Sequence, residues 1–119
     1  MENLTTEQHK EYDLKASEIA KQVGATKVHP LVFLKDDNTH VVAYLKEPTF
    51  TMKLIAKDKA MTHGVNISAN ELREYCLIKE HSDALCYADT EEADGYKLGV
   101  CDYIISNMVT SFVNQFKKK

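Results

Sequence analysis

The spacing of apolar positions predicts a helix at the start of the chain. Thr5 is followed three residues later by Gln8, the spacing of a capping box, and apolar side chains then recur every three or four residues. These apolar positions are Tyr12, Ala16, Ile19, Ala20 and Val23. Gly24 follows the last of them, where a left-handed residue commonly ends a helix. We therefore predict an N-terminal helix within residues 1–25, with a thin, alanine-rich apolar face.

The pattern changes to that of strands within residues 28–46. Two runs rich in β-branched and aromatic residues, 31–34 and 41–45, flank a polar, turn-prone cluster at 35–40. The sequence therefore predicts a β-hairpin. Because two strands alone are marginal in water, we expect the hairpin to pack against helices or to mediate self-association with a second copy.

Helical patterns return after the hairpin. Pro48 and Thr49 suit the start of a helix, because proline is tolerated in a first turn and a threonine hydroxyl can cap it. The segment 50–61 then fits helical periodicity better than strand alternation. Ser68 and Glu71 have the spacing of a second capping box and predict that another helix begins there.

The last part of the chain predicts a longer helix after an acidic stretch. Segment 84–94 combines a short apolar patch with an acidic run, for which we predict a short helix and a loop. Over residues 98–116 apolar side chains recur at spacings of three and four, with more apolar surface than one small core needs. The predicted fold is α+β: an N-terminal helix, one β-hairpin and a bundle of three to four helices. We predict a single domain over 1–119, with its helical part at 48–116 and a basic tail at 117–119.

Composition favours one globular, intracellular domain. Of 119 residues, 44% are hydrophobic and 28% charged, which is ordinary for a folded protein. A chain of this length has room for one core. No apolar run approaches the roughly 20 residues that span a bilayer, and the polar residues 1–10 do not resemble a signal peptide. We therefore expect a cytoplasmic protein without membrane association.

The three cysteines, Cys76, Cys86 and Cys101, are an odd number. Without an export signal they predict reduced thiols in the core rather than disulfides. Cys76, His81 and Cys86 could be arranged around zinc with His63 or Cys101. Structural zinc sites normally show closely spaced pairs of ligands, however, and no such pair repeats here. We therefore predict no metal site and no cofactor.

Motifs for calcium binding and for catalysis are not found in the sequence. The acidic run 89–95 fails the pattern of a calcium loop, because Ala93 stands at its fifth position and Gly95 comes one residue late. The chain has four glycines, and none belongs to a phosphate or oxyanion loop. No two carboxylates have a spacing that identifies an acid–base pair. The sequence therefore predicts no catalytic residues and a protein that is not an enzyme.

The net charge of −3 at pH 7 is unevenly distributed. Residues 71–102 hold nine acids against three basic residues, and no basic patch with interleaved aromatics favours nucleic acid as a partner. The acids of the predicted acidic surface are Glu80, Asp83, Asp89, Glu91, Glu92 and Asp94. They predict either a solvated loop or a surface that docks on another protein.

From residue 31 to about residue 85, the order of features resembles the small tail-assembly chaperone-like proteins of tailed phages and prophages. The hairpin leads into residues 44–49, which read YLKEPT and are similar to a "YLRxP(S/T)" junction. A helix containing alanine, around 54–57, and a helix with an aromatic residue and a cysteine near its end, 72–78, follow. The resemblance implies a non-enzymatic protein that keeps the hydrophobic tape-measure protein soluble until tail-tube subunits polymerise around it. The acidic loop before the last helix departs from the pattern.

The predicted partner-binding residues lie on the last helix. They are Ile105, Met108, Phe112 and Phe116. The alternative is that all four fill the protein's own core. Two other functions stay open: a small phage or mobile-element inhibitor that docks on a host protein through the acidic surface, and a structural virion protein. Acidic docking should weaken steeply with ionic strength, whereas an apolar contact should persist.

Overall fold

A computed structural model describes residues 4–35 and 37–109. The order of the secondary-structure elements confirms the predicted α+β fold, with one helix, a hairpin and then further helices. The elements are α1 (Thr6–Val23), β1 (Val28–Leu34), β2 (His40–Lys46), α2 (Phe50–His63), α3 (Val65–Cys76), a 3-10 helix (Ala84–Cys86), α4 (Glu91–Tyr103) and a π-helical turn (Ile104–Met108). Among the described residues, no helix has both the length and the apolarity needed to cross a membrane.

Both ends of α1 confirm the sequence prediction. The Thr5 hydroxyl accepts a hydrogen bond from the backbone N–H of Gln8 at 3.1 Å, and the Gln8 side chain accepts one from the backbone N–H of Thr5 at 2.9 Å. The capping box is therefore complete. At the other end Gly24 adopts φ 73°, and its N–H donates to the carbonyl of Ala20. Glycine reaches this left-handed conformation without steric cost.

The hairpin is also as predicted. Its strands pair antiparallel with His29 opposite Leu45 and Phe33 opposite Val41. Asn38, at φ 66°, turns the chain between them, and asparagine tolerates that conformation better than most residues.

The outer edge of β2 is covered by the segment that follows α3. The backbone N–H of Ile78 donates to the carbonyl of Tyr44, and that of Asp83 donates to the carbonyl of Val42, both at 2.9 Å. β2 therefore lies between β1 and residues 77–83 of the same chain. The protein's own chain therefore supplies a second neighbour for β2, and self-association through the hairpin stays a prediction.

Helices pack on both faces of the hairpin. One face of β2 contributes Val41, Ala43 and Leu45 to the main core, and the alternate residue Tyr44 points to a second cluster beneath α1, as strand alternation requires. The second cluster consists of Ala16, Ile19, Ala20, Val28, Tyr44 and Ile78. The main core contains all three cysteines, which are buried and free, as the sequence predicted.

The start of α3 corrects the sequence analysis. Gly64 alone separates α2 from α3, which begins at Val65, so Ser68 is not a cap. The Ser68 side chain is buried and its hydroxyl donates to the carbonyl of Ala56 at 2.6 Å, joining α3 to α2. A serine and a glutamate at capping-box spacing cannot reveal such a contact, because its partner lies twelve residues away.

The 3-10 helix Ala84–Cys86 agrees with the predicted short helix, but the acidic run is a second correction, since its acids other than Asp89 lie in α4 and not in a loop. Thr90 caps α4 by accepting a hydrogen bond from the backbone N–H of Ala93 at 3.2 Å. The acids that follow stand in the first helical turn, where the helix dipole favours negative charge. The predicted helix 98–116 continues as the π-helical turn and ends at Val109, whose φ and ψ are −132° and 66°. The remainder of that prediction lies outside the described residues.

Candidate protein-binding surface

The predicted contact residues of the last helix do not form an exposed face in the described part of the chain. Met108 is 5% exposed and belongs to the main core, so it is not available as a surface contact. Ile105 is partly buried and packs against the same core. Phe112 and Phe116 lie outside the described residues, and their contact with a partner stays a prediction.

The most exposed apolar face among the described residues lies on α2. Phe50 is 74% exposed, Leu54 48% and Met61 76%. At 3.6 residues per turn, Leu54 and Met61 project within about 40° of the direction of Phe50. We call these three side chains the α2 stripe. A monomeric protein rarely leaves several large apolar side chains together in solvent without a functional reason.

The opposite side of α2 holds the helix on the protein. Ala56, the buried residue of α2, packs into the main core and accepts the Ser68 hydrogen bond through its carbonyl. Lys59, on the same side, places its Nζ 2.9 Å from the Glu71 carboxylate of α3. These contacts fix the rotation of α2 and leave the α2 stripe directed to solvent.

A positive charge lies within the α2 stripe. Lys53 and Lys59 place their Nζ atoms 2.5 Å and 2.9 Å from the carboxylates of Glu47 and Glu71. Lys57 projects about 20° from the direction of Phe50, on the side away from Leu54. Among the described residues no carboxylate lies within 4 Å of it. The stripe is therefore apolar with one unneutralised ammonium group.

The α2 stripe is not among the surfaces predicted from the sequence, although its signal is present there. The spacing of Phe50, Leu54 and Met61 is that of one helical face. A periodic pattern shows that a helix has an apolar face, but α2 has apolar residues on more than one side, and only its packing decides which side is buried.

A hydrogen-bonded chain of four side chains lies beneath the hairpin. The buried His29 has its Nδ1 2.9 Å from the Tyr103 hydroxyl and its Nε2 2.6 Å from Oε1 of Glu47. The other carboxylate oxygen of Glu47, Oε2, forms an ion pair with Nζ of Lys53. We call these four residues the His29 chain, and they connect β1, the end of the hairpin, α2 and α4.

The charges in the His29 chain argue for a structural role. Burial alone would raise the pKa of Glu47, but hydrogen bonds from Lys53 and His29 outweigh it and lower that pKa. Burial and, next, the charge of Glu47 raise the pKa of Tyr103, so its phenol keeps its proton. A carboxylate only accepts, so Nε2 of His29 donates to Glu47. A phenol held protonated is a poor nucleophile.

A cavity of about 630 Å³ opens beside the His29 chain, between α1 and β1. His29 and Tyr103 line one side, and the buried Ala16 and Ala20 line the other. The small alanine side chains leave the space open.

The structure separates the residues of the predicted acidic surface. Glu80 and Asp83 line a cleft with Tyr12 and His40, whereas Asp89 and Asp94 line another between α3 and α4. Several of these acids have local partners. Asp83 accepts from the backbone N–H of Leu85 at 2.9 Å, Glu92 lies 3.9 Å from Lys35, Asp94 lies 3.4 Å from Lys97, and Glu91 is in the first turn of α4.

Comparison with known proteins identifies no relative. No protein-family model, curated protein or solved structure matches the chain. Over the described ranges, no group of three or more histidine, cysteine or acidic side chains is placed to hold a metal ion. The α2 stripe, the cavity beside the His29 chain and the cleft between α3 and α4 are candidate binding features of the described residues.

Proposed function

We propose that this protein binds another polypeptide through the α2 stripe and catalyses no reaction. The observation that carries the proposal is the exposure of Phe50 and Met61, each about three-quarters open to solvent on one face of a helix held in place by its other side. Burial of such side chains by a partner is favourable in proportion to the apolar area removed from water.

The chemistry of the stripe selects a helical partner with an apolar face and an acidic residue. From residue 50 to residue 61 the stripe is roughly 16 Å long at 1.5 Å per residue, or three turns. A helix that lies along it would present apolar residues at three- and four-residue spacing. A glutamate or aspartate on that helix would pair with Lys57, which has no carboxylate partner among the described residues.

The size of the stripe suits reversible binding. Complete burial of one fully exposed large apolar side chain contributes about 1.5–3 kcal/mol. The three side chains of the stripe are 48–76% exposed, so their burial contributes roughly 3–6 kcal/mol. Association costs about 4–15 kcal/mol in lost translational and rotational freedom. The stripe alone therefore supports weak binding, and contacts around it must add to the affinity. A holding protein that later releases its partner needs such a balance.

The tape-measure protein of a phage or prophage tail is the partner we propose. The resemblance over residues 31–85 to tail-assembly chaperones supports this choice. The α2 stripe supports it independently, because a chaperone for a hydrophobic helical protein needs an apolar face of its own. The stripe lies within the part of the chain that the resemblance covers.

Co-expression with a tape-measure protein followed by pull-down tests the proposal. We expect wild-type protein to retain the tape-measure protein at both low and high ionic strength. The double variant Phe50→Ser, Met61→Ser should retain about tenfold less of the tape-measure protein. Leu14→Ser is the matched control, because Leu14 is 66% exposed on α1, away from the stripe. Equal retention by the double variant would refute the role of the stripe.

A second copy of the chain is the competing occupant of the stripe. Size-exclusion chromatography of the protein alone distinguishes it, since a dimer formed through α2 would become a monomer in the double variant. Retention that disappears at high salt would instead favour docking through the acidic residues.

A further inference from the structure

A buried positive charge lies in a second cavity, between α3 and α4. Arg73 of α3 is 7% exposed, and it lines a cavity of about 530 Å³. Other residues that line the cavity are Ile67, Asn70, Lys97, Leu98 and Cys101. The α2 stripe contributes no residue to it.

The side chain of Arg73 is hydrogen-bonded to neutral acceptors only. Its Nε and Nη2 donate to Oδ1 of Asn70 at 3.0 Å and 2.8 Å, and its Nη1 donates to the carbonyl of Cys86 at 3.3 Å. A guanidinium has five N–H groups, and these bonds occupy three of them. No carboxylate of those ranges lies within 4 Å of it. Buried charges are normally paired, because desolvation costs several kcal/mol per ion.

Two acids at the rim of the cavity, Asp89 and Asp94, lie close to Lys97 and not to Arg73. Asp94 and Asp89 lie 3.4 Å and 3.9 Å from Nζ of Lys97, and both carboxylates are largely exposed, whereas the Lys97 side chain is mostly buried. Glu74 also lines the cavity, so its lining holds three carboxylates and two cations, and Arg73 is the cation that no described carboxylate approaches within 4 Å. Ile67 and Leu98 are more than half exposed and supply apolar walls.

We propose that this cavity binds an acidic side chain of a partner polypeptide, a glutamate or aspartate with apolar residues beside it. The planar guanidinium offers parallel N–H groups that match a carboxylate. Ile67 and Leu98 accommodate the neighbouring apolar side chains. The nearby Asp89 and Asp94 disfavour a doubly charged phosphate more than a singly charged carboxylate, so the site selects an acidic peptide over a phosphate group.

The site is independent of the α2 stripe, and a blocked tripeptide tests it separately. The probe is acetyl-Leu-Glu-Leu-amide, with acetyl-Leu-Gln-Leu-amide as its uncharged match. Binding to the full chain is followed in ¹H–¹⁵N correlation spectra. We expect the glutamate peptide to bind about tenfold more tightly, because a charge-assisted hydrogen bond exceeds a neutral one by about that factor. The shifted amides should include Asn70 and Cys101.

Variants locate the binding in the cavity. Arg73→Gln should abolish the preference for the glutamate peptide. Because loss of a buried side chain can also unfold the protein, Leu98→Ser is a second variant at an exposed position, and it should weaken binding severalfold with an unchanged melting temperature. The double variant Phe50→Ser, Met61→Ser should bind as wild type does, which separates this site from the proposed function.

Three results would overturn the proposal. One is equal affinity for the glutamate and glutamine peptides. Another is affinity for inorganic phosphate or for acetate alone that equals the affinity for the glutamate peptide. The third is an absence of shifts at the amides of α3 and α4 up to the solubility limit of the peptide.

Discussion

Nε2 of His29 lies 2.6 Å from Oε1 of Glu47. This contact ties the first strand of the hairpin to the segment that leads into α2. Lys53 of α2 binds the same carboxylate, and Tyr103 of α4 binds the other ring nitrogen of His29. The position of α2, and with it the direction of the α2 stripe, therefore depends on a polar contact that crosses three elements.

Removal of the charge of Glu47 should destabilise the protein. Glu47→Gln keeps the shape of the side chain but loses its charge-assisted bonds with His29 and Lys53. We expect the free energy of unfolding to fall by about 1–3 kcal/mol, less than for a fully buried pair because Glu47 is partly exposed. Urea denaturation measures it. Glu18→Gln, at an exposed position of α1, should change stability by less than about 0.5 kcal/mol.

The contribution of Glu47 should depend on pH. Its pKa is lowered in the folded protein, so its contribution is fully present above the unfolded value of about 4.3 and is lost as pH falls through the lower folded value. The stability difference between wild type and Glu47→Gln should therefore shrink below about pH 4.3. Denaturation curves of both proteins between neutral and acidic pH measure it. A difference that is constant over this range would contradict the assignment.

Two glycines of α4 offer a matched pair of substitutions. A Cβ on Gly99 would lie 2.7 Å from Cε1 of Phe33, whose ring packs edge-on against Tyr96, whereas a Cβ on Gly95 meets nothing within 4 Å. Gly99→Ala should destabilise the protein by about 1–2 kcal/mol through overpacking. Gly95→Ala should stabilise it by up to about 1 kcal/mol through helix propensity. Thermal denaturation measures both, and equal effects would show that the Phe33 ring moves aside freely.

The three thiols should be unreactive in the folded protein. Burial is the main cause that raises the pKa of Cys76 to about 12 and that of Cys86 to about 11, and burial also raises the pKa of Cys101. Because the thiolate is the reactive form, Ellman's reagent should modify none of them at neutral pH until urea unfolds the chain. One thiol that reacts rapidly without denaturant would show that the core around it opens.

The hydroxyl of Ser68 should stabilise the contact between α2 and α3. Ser68→Ala removes its hydrogen bond to the carbonyl of Ala56. We expect a loss of about 0.5–1.5 kcal/mol in the free energy of unfolding. Ser17→Ala, on the exposed side of α1, is the control and should be neutral or slightly stabilising, since alanine has the higher helix propensity. A neutral result for Ser68→Ala would imply that apolar packing alone joins the two helices.

The sequence by itself determined the elements whose signals are local. Thr5 and Gln8 cap α1, Gly24 ends it, and Thr49 caps α2 by accepting from the backbone N–H of Met52 at 3.2 Å. The hairpin followed from two β-rich runs around a polar turn. In each case the groups that interact are a few residues apart, so their spacing in the chain is nearly their geometry in space.

Only the tertiary structure decided the start of α3, the burial of Met108 and the surface on which a partner is proposed to bind. Ser68 lies inside a helix because Ala56 accepts its hydroxyl, and α2 exposes Phe50 because its other side packs into the main core. Folding buries Arg73 where no carboxylate of the described residues lies within 4 Å of it. Each of these outcomes depends on neighbours distant in sequence, and periodicity within one helix carries no information about them.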